Sequence, residues 1–205
     1  MAPSFGEWLT SQQMYSYMVI VDPSYLSDNF NFFGLKKYFN RFNEALIKIR
    51  SPHKESDEED EDLMDQSINL YGLIHARFIC TLDGIDLVKE KYDSGKFPTC
   101  PRYLCNGCRC LPYGVSEIFE EATMKIFCPN CCDVYESQFS PYGRLDGAFF
   151  GPTYVHILRQ RFRSIVPKAP CNVFVPRAFG FKMDRKRSPK PKKSIIQNST
   201  TPDDN

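Results

Sequence analysis

No run of apolar residues in this 205-residue chain approaches the roughly 20 that a membrane-spanning helix needs. The opening MAPSFGEWLTSQQ has neither the basic nor the apolar region of a secretory signal. Both absences lead to the expectation of a soluble intracellular protein that makes no membrane contact. Histidine is scarce, at His53, His75 and His156, and the HExxH pattern of zinc hydrolases is missing. The chain also lacks a phosphate-cradling Gly-rich loop and the HRD and DFG motifs, so it is expected to have no kinase chemistry of its own. There is no internal repeat.

An excess of one charge is lacking too: 26 Lys and Arg stand against 25 Asp and Glu, a formal net charge of +1. The near-neutral sum conceals two local fields. ESDEEDED, Glu55 to Asp62, is almost entirely carboxylate, and RKRSPKPKK, Arg185 to Lys193, holds six basic residues. The acidic run repels itself and buries nothing, so it reads as a solvated loop. Beyond Met183 the chain turns basic, Pro-rich and polar, and residues 184–205 read as a disordered tail. That tail fits either a nuclear-localisation or nucleic-acid patch or a simple solubilising end.

Aromatic residues make up 14% of the chain and are unevenly patterned. Asp22-Pro23 resembles an N-cap followed by a first-turn proline, opening a short helix with Tyr25, Leu26 and Phe30. Phe39, Phe42, Leu46 and Ile49 recur at helical spacing and predict an amphipathic helix from Lys36 to Arg50. Leu63, Leu70, Leu73, Ile74, Phe78 and Leu82 predict another, and GIDLVKEKYDSG a further one ending at Gly95. Residues 1–96 thus read as a helical domain. After Lys96 prolines and glycines multiply, and MKIF, DVYES, GAFFG and CNVFVPRAFGF read as short strands of a β-rich module over 97–183. The expected class is α+β.

What the chain has in abundance is cysteine, nine in all. CPRYLCNGCRC holds Cys100, Cys105, Cys108 and Cys110, and CPNCC holds Cys128, Cys131 and Cys132. In a reducing compartment such clustering points to a metal rather than to disulfides. Cys80 and Cys171 lie apart and read as small buried hydrophobes. Zinc takes four soft ligands at tetrahedral corners, and Cys128 with Cys131 supplies one C-x2-C pair. The other pair has two solutions. Spacing favours Cys105 with Cys108, while Cys100 with Cys105 is also allowed; Cys108 and Cys110 are too close for a comfortable bite. Four thiolates close the coordination shell, so the site reads as structural.

FNFFGL, LYGLIHARFI, EKYDSGKFPTCPRYLC, LPYGVSE, KIFCPNCCDVY, LDGAFFG and NVFVPRAFGFK together resemble the regulatory beta subunit family of casein kinase 2, over roughly residues 5 to 182. The resemblance implies a helical domain followed by a zinc ribbon, with one structural zinc per chain held by Cys100, Cys105, Cys128 and Cys131. Cys108, Cys110 and Cys132 are then extras. It also implies a homodimer through the ribbon, with Pro101, Tyr103, Val134 and Tyr135 at the contact. The tail of the module would dock a catalytic alpha subunit through Arg177, Phe179 and Phe181, with Ile157 assisting, in an assembly of two alpha and two beta chains. Without the family, Phe179 and Phe181 read either as core or as an aromatic anchor sharing one face of an extended chain.

The acidic loop matches a site for polyamines or basic substrates. Ser56, followed by Asp57, Glu58 and Glu59, resembles a casein kinase 2 phosphorylation site, and Ser4 with Glu7 resembles a weaker one. Phe179 stands where the family usually has Tyr, and Arg159, Gln160 and Arg161 replace an apolar run, which marks a divergent paralogue. The implied location is cytoplasm and nucleus. Two rival readings are a zinc-ribbon nucleic-acid-binding factor and a paralogue that dimerises without binding the catalytic subunit.

Overall fold

The computed structural model describes residues 2–54, 60–137, 142–166 and 174–183. The chain divides into two compact units, Met1–Asn172 and Val173–Asn205. The architecture is α+β, as expected. No helix among the described residues is long and apolar enough to cross a membrane.

Helix α1, Phe5–Ser11, begins at a capping box in which the Ser4 hydroxyl accepts from the Glu7 amide and the Glu7 carboxylate accepts from the Ser4 amide. Helix α2, Pro23–Ser27, opens as the Asp-Pro pair predicts, with the Asp22 carboxylate accepting from the Ser24 amide at 2.7 Å. Helices α3, Phe42–Arg50, α4, Glu61–Phe78, and α5, Leu82–Asp93, complete the N-terminal part. Helix α4 is about 27 Å long by its rise per residue. It buries Leu70, Tyr71, Ile74, His75 and Phe78.

His75 is the polar pin of this core. Its Nε2 accepts from the Val19 amide at 3.1 Å, so its Nδ1–H donates to the Phe149 carbonyl at 2.7 Å. Burial pushes its pKa down to about 4, so the ring is neutral at physiological pH. Tyr71 works the same way, its hydroxyl accepting from the Val21 amide at 2.9 Å.

The later part contributes a three-stranded antiparallel sheet in the order β1, Leu111–Tyr113, β2, Lys125–Phe127, and β3, Val134–Glu136. The register pairs Leu111 with Phe127 and Phe127 with Val134. Pro112 is tolerated because β1 is an edge strand. One apolar cluster joins Phe5, Leu70 and Ile74 to Phe127, Phe149 and Leu158, so the change of texture at residue 96 does not divide the core. In the second unit, β4, Arg177–Ala178, and β5, Phe181–Lys182, form a hairpin.

Four expectations are corrected. The helix predicted from Lys36 starts only at Phe42, because Phe39 leaves the helical path with extended φ and ψ and packs its ring on Phe119, 6.0 Å away. GAFFG is a 3-10 turn over Gly147–Phe149 rather than a strand, capped by the Asp146 carboxylate on the Ala148 amide at 2.8 Å. The β-rich module contains a helix, α6, Thr153–Arg161, which buries Tyr154, Val155 and Leu158. Its charged residues have intramolecular uses: Arg161 grips Asp86 of α5 with two 2.8 Å bonds. Cys80 is half-buried rather than buried, and it lines a cavity of about 430 Å³ with Leu35, Leu73 and Phe150. Cys171, the acidic residues 55–59 and the basic tail lie outside the described residues.

Candidate metal centre

Strand β2 runs directly into Cys128, and the chain turns through Cys131 and back into β3. The Cys132 amide donates to the Cys128 carbonyl at 2.9 Å and the Cys128 amide to the Asp133 carbonyl at 3.0 Å, with Cys132 at φ 58. The facing arm is a second hairpin. Thr99 bridges Arg109, and a 3-10 turn over Tyr103–Cys105 presents Cys105.

The sulfur atoms of Cys100, Cys105, Cys128 and Cys131 lie within 4.8 Å of one another. Cys100 and Cys131 are 3.9 Å apart, and Cys105 and Cys128 are 4.0 Å apart. A tetrahedral ion with metal–sulfur bonds of ~2.3 Å requires sulfur–sulfur separations of ~3.8 Å. The group therefore fits a metal ion and is compatible with zinc. Cys108 is not in this group, so the spacing preference for Cys105 with Cys108 is corrected. The group contains instead Cys100 with Cys105, the C-x4-C pair that spacing also allowed and the resemblance implied.

Burial pushes the Cys100 and Cys128 thiols up. Cys131 is also raised by burial, but hydrogen bonds from the Tyr135 hydroxyl and the Asp133 backbone outweigh that and bring it down to about 7. The Tyr135 hydroxyl lies 3.1 Å from the Cys131 sulfur. Sequence reasoning assigned Tyr135 to a dimer contact and missed this role; its position four residues past a ligand was the available signal. Arg159 of α6 points a guanidinium nitrogen at the Cys132 sulfur, 3.6 Å away, and lies over the Phe127 ring at 5.6 Å.

Around this centre Pro101, Tyr103 and Val134 are exposed and Tyr135 is half-buried. Ile157 sits on α6 and packs partly against the core. In the second unit Arg177 is exposed, and Phe179 and Phe181 have 101% and 79% relative exposure. Phe179 is not in extended chain: at φ 49, followed by Gly180 at φ 85, it forms the two-residue turn between β4 and β5. The shared-face argument for Phe179 and Phe181 therefore does not hold; one ring caps the turn and the other stands on β5. Ser4 is the N-cap of α1, and Ser56 lies outside the described residues. Of the acidic run, Asp60 and Asp62 reach Arg41 at 2.7 and 3.6 Å.

A family model described as casein kinase II regulatory subunit matches residues 4–182. The chain is 36% identical over 183 residues to casein kinase II subunit beta' of Drosophila melanogaster, an alignment covering 88% of this chain and 84% of that protein. It is 37% identical over 186 residues to casein kinase II subunit beta-2 of Schizosaccharomyces pombe, covering 88% of this chain and 73% of the other. Against putative casein kinase II subunit beta-4 of Arabidopsis thaliana it is 34% identical over 189 residues, covering 90% and 67%. With a match across nearly its whole length, a helical body and a four-thiol centre, this chain belongs to the casein kinase II regulatory subunit family.

Proposed function

We propose that the chain is a non-catalytic regulatory subunit that holds one structural zinc, dimerises through its zinc ribbon and docks casein kinase 2 catalytic subunits with its C-terminal hairpin. The zinc would be held by Cys100, Cys105, Cys128 and Cys131 and would supply a fixed cross-link between the two cysteine hairpins, with no open coordination position for chemistry. Pro101, Tyr103, Val134 and Tyr135 form the dimer contact in this reading. The functional division is a helical domain over 1–96, the ribbon and docking segment over 97–183 and a basic tail over 184–205. The acidic run attracts polyamines or basic substrates, Ser4 and Ser56 are phosphoacceptors, and the protein works in cytoplasm and nucleus.

The observation that carries the docking reading is the hairpin itself. It leaves Phe179 and Phe181 in water, where a single buried ring on a partner's surface dominates affinity. Arg159 and Arg161, which replace the usual apolar residues, are engaged within the first unit.

Co-purification of the full chain with a casein kinase 2 catalytic subunit tests this. Wild type is expected to associate at micromolar concentration and Phe181→Ala to lose about 2 kcal/mol or more of binding. Absence of wild-type association eliminates the regulatory reading, and equal binding by both proteins eliminates the hairpin assignment.

A further inference from the structure

The thiols left out of the four-sulfur group carry one more inference, which rests on the zinc reading above. The antiparallel bridge between Thr99 and Arg109 is flanked by two 2.7 Å bonds, Cys100 amide to Cys108 carbonyl and Cys110 amide to Pro98 carbonyl. That register sets Cys108 directly across the ladder from the ligand Cys100, with both side chains on the same face. Cys108 also closes a tight turn with the other ligand of this arm, its amide donating to the Cys105 carbonyl at 3.0 Å. The two residues between them, Asn106 and Gly107, are both left-handed, at φ 50 and 69. Cys108 thus adjoins Cys100 through the ladder and Cys105 through the turn.

Its thiol packs against the buried sulfur cluster, with the sulfur 3.6 Å from the Arg109 carbonyl oxygen. It is half-buried. The other extra thiols do not stand opposite Cys100 on the ladder or close the turn from Cys105. Cys110 is fully buried and directs its sulfur at the Cys108 carbonyl, and Cys132 is exposed beside Arg159.

We propose that Cys108 is a reserve ligand of the metal centre, taking the vacated corner when Cys105 is lost so that the ion stays bound. The left-handed Asn106-Gly107 pair is the pivot: a small rotation of this turn exchanges one sulfur for the other while Cys100, Cys128 and Cys131 stay in place. The centre then depends on five thiols, of which any loss at Cys105 is tolerated.

The test measures zinc per chain in the purified full-length protein by native mass spectrometry, using alanine variants so that no serine oxygen substitutes as a ligand. Wild type, Cys108→Ala and Cys105→Ala are each expected to hold one zinc, and the double variant Cys105→Ala/Cys108→Ala none. A Cys105→Ala protein without zinc overturns the proposal, as does a double variant that keeps it. Wild type without zinc would instead remove the zinc reading itself. A kinetic arm does not depend on the folding of Cys105→Ala. Transfer of zinc to the chelator 4-(2-pyridylazo)resorcinol should be several-fold faster from Cys108→Ala than from wild type, because no spare thiol recaptures an open corner. Equal rates overturn the proposal.

Discussion

Tyr135 shows how one atom changes the meaning of a residue. As a ring beside a candidate ligand it suits a surface contact, but its hydroxyl, 3.1 Å from the Cys131 sulfur, would belong to the outer shell of an ion held by the four thiols. Groups in that position orient the ligand and disperse thiolate charge, and their loss typically weakens metal affinity by about 10- to 100-fold. Tyr135→Phe keeps the ring and removes the donor, so it is expected to lower zinc affinity within that range. A competition titration against a chelator reads this directly, and an unchanged affinity would return Tyr135 to a purely surface role. The charged residues of α6 make the same point in reverse. Arg159 and Arg161 look in sequence like disruptions of an apolar run, yet each has an internal partner across the fold.

At the scale of elements, caps and glycines decide where segments begin and how closely they approach. The capping box at Ser4 and the Asp22-Pro23 pair are local signals, and the Asp-Pro start was legible because the cap and its target lie two residues apart. The Gly147–Phe149 turn was not legible, because it depends on a partner far away in sequence. A Cβ built on Gly72 of α4 would stand 2.4 Å from the Phe149 ring, so the turn seats against the helix only where a side chain is absent. Gly72→Ala gains helix propensity but must displace that ring, an overpacking cost of about 1–3 kcal/mol. Urea denaturation should show the loss, and a variant as stable as wild type would mean that the turn yields without cost. The same displacement would strain the bond from His75 to the Phe149 carbonyl.

Across the whole molecule, His75 joins three segments, because its two ring nitrogens serve Val19 and Phe149 from the last turn of α4. Burial holds its folded pKa at about 4, below the ~6.5 of the unfolded chain. Between those values the unfolded state binds more protons, so stability rises with pH there. The contribution is complete above about pH 6.5 and is lost as pH falls toward 4; it is on the order of 3 kcal/mol. His75→Gln should be less stable than wild type at pH 7 and should show a shallower decline from pH 6.5 to 4.5 in denaturant titrations. Parallel declines would assign the acid sensitivity to other groups. Because one apolar cluster spans residues on both sides of residue 96, such losses reach helices and sheet together.

The helical N-terminal part, the short strands β2 and β3 and a cluster of thiols that could hold a metal follow from local sequence. Periodicity, cap residues and clustered cysteines act over a few positions, and the chain reports them without a fold. The resemblance already pointed to Cys100 over Cys108 where spacing did not, but the seating of the Gly147–Phe149 turn and the internal partners of α6 belong to the tertiary structure. Each depends on a residue brought from far along the chain. Spacing measures separation along one strand, whereas coordination and packing are decided by what stands opposite.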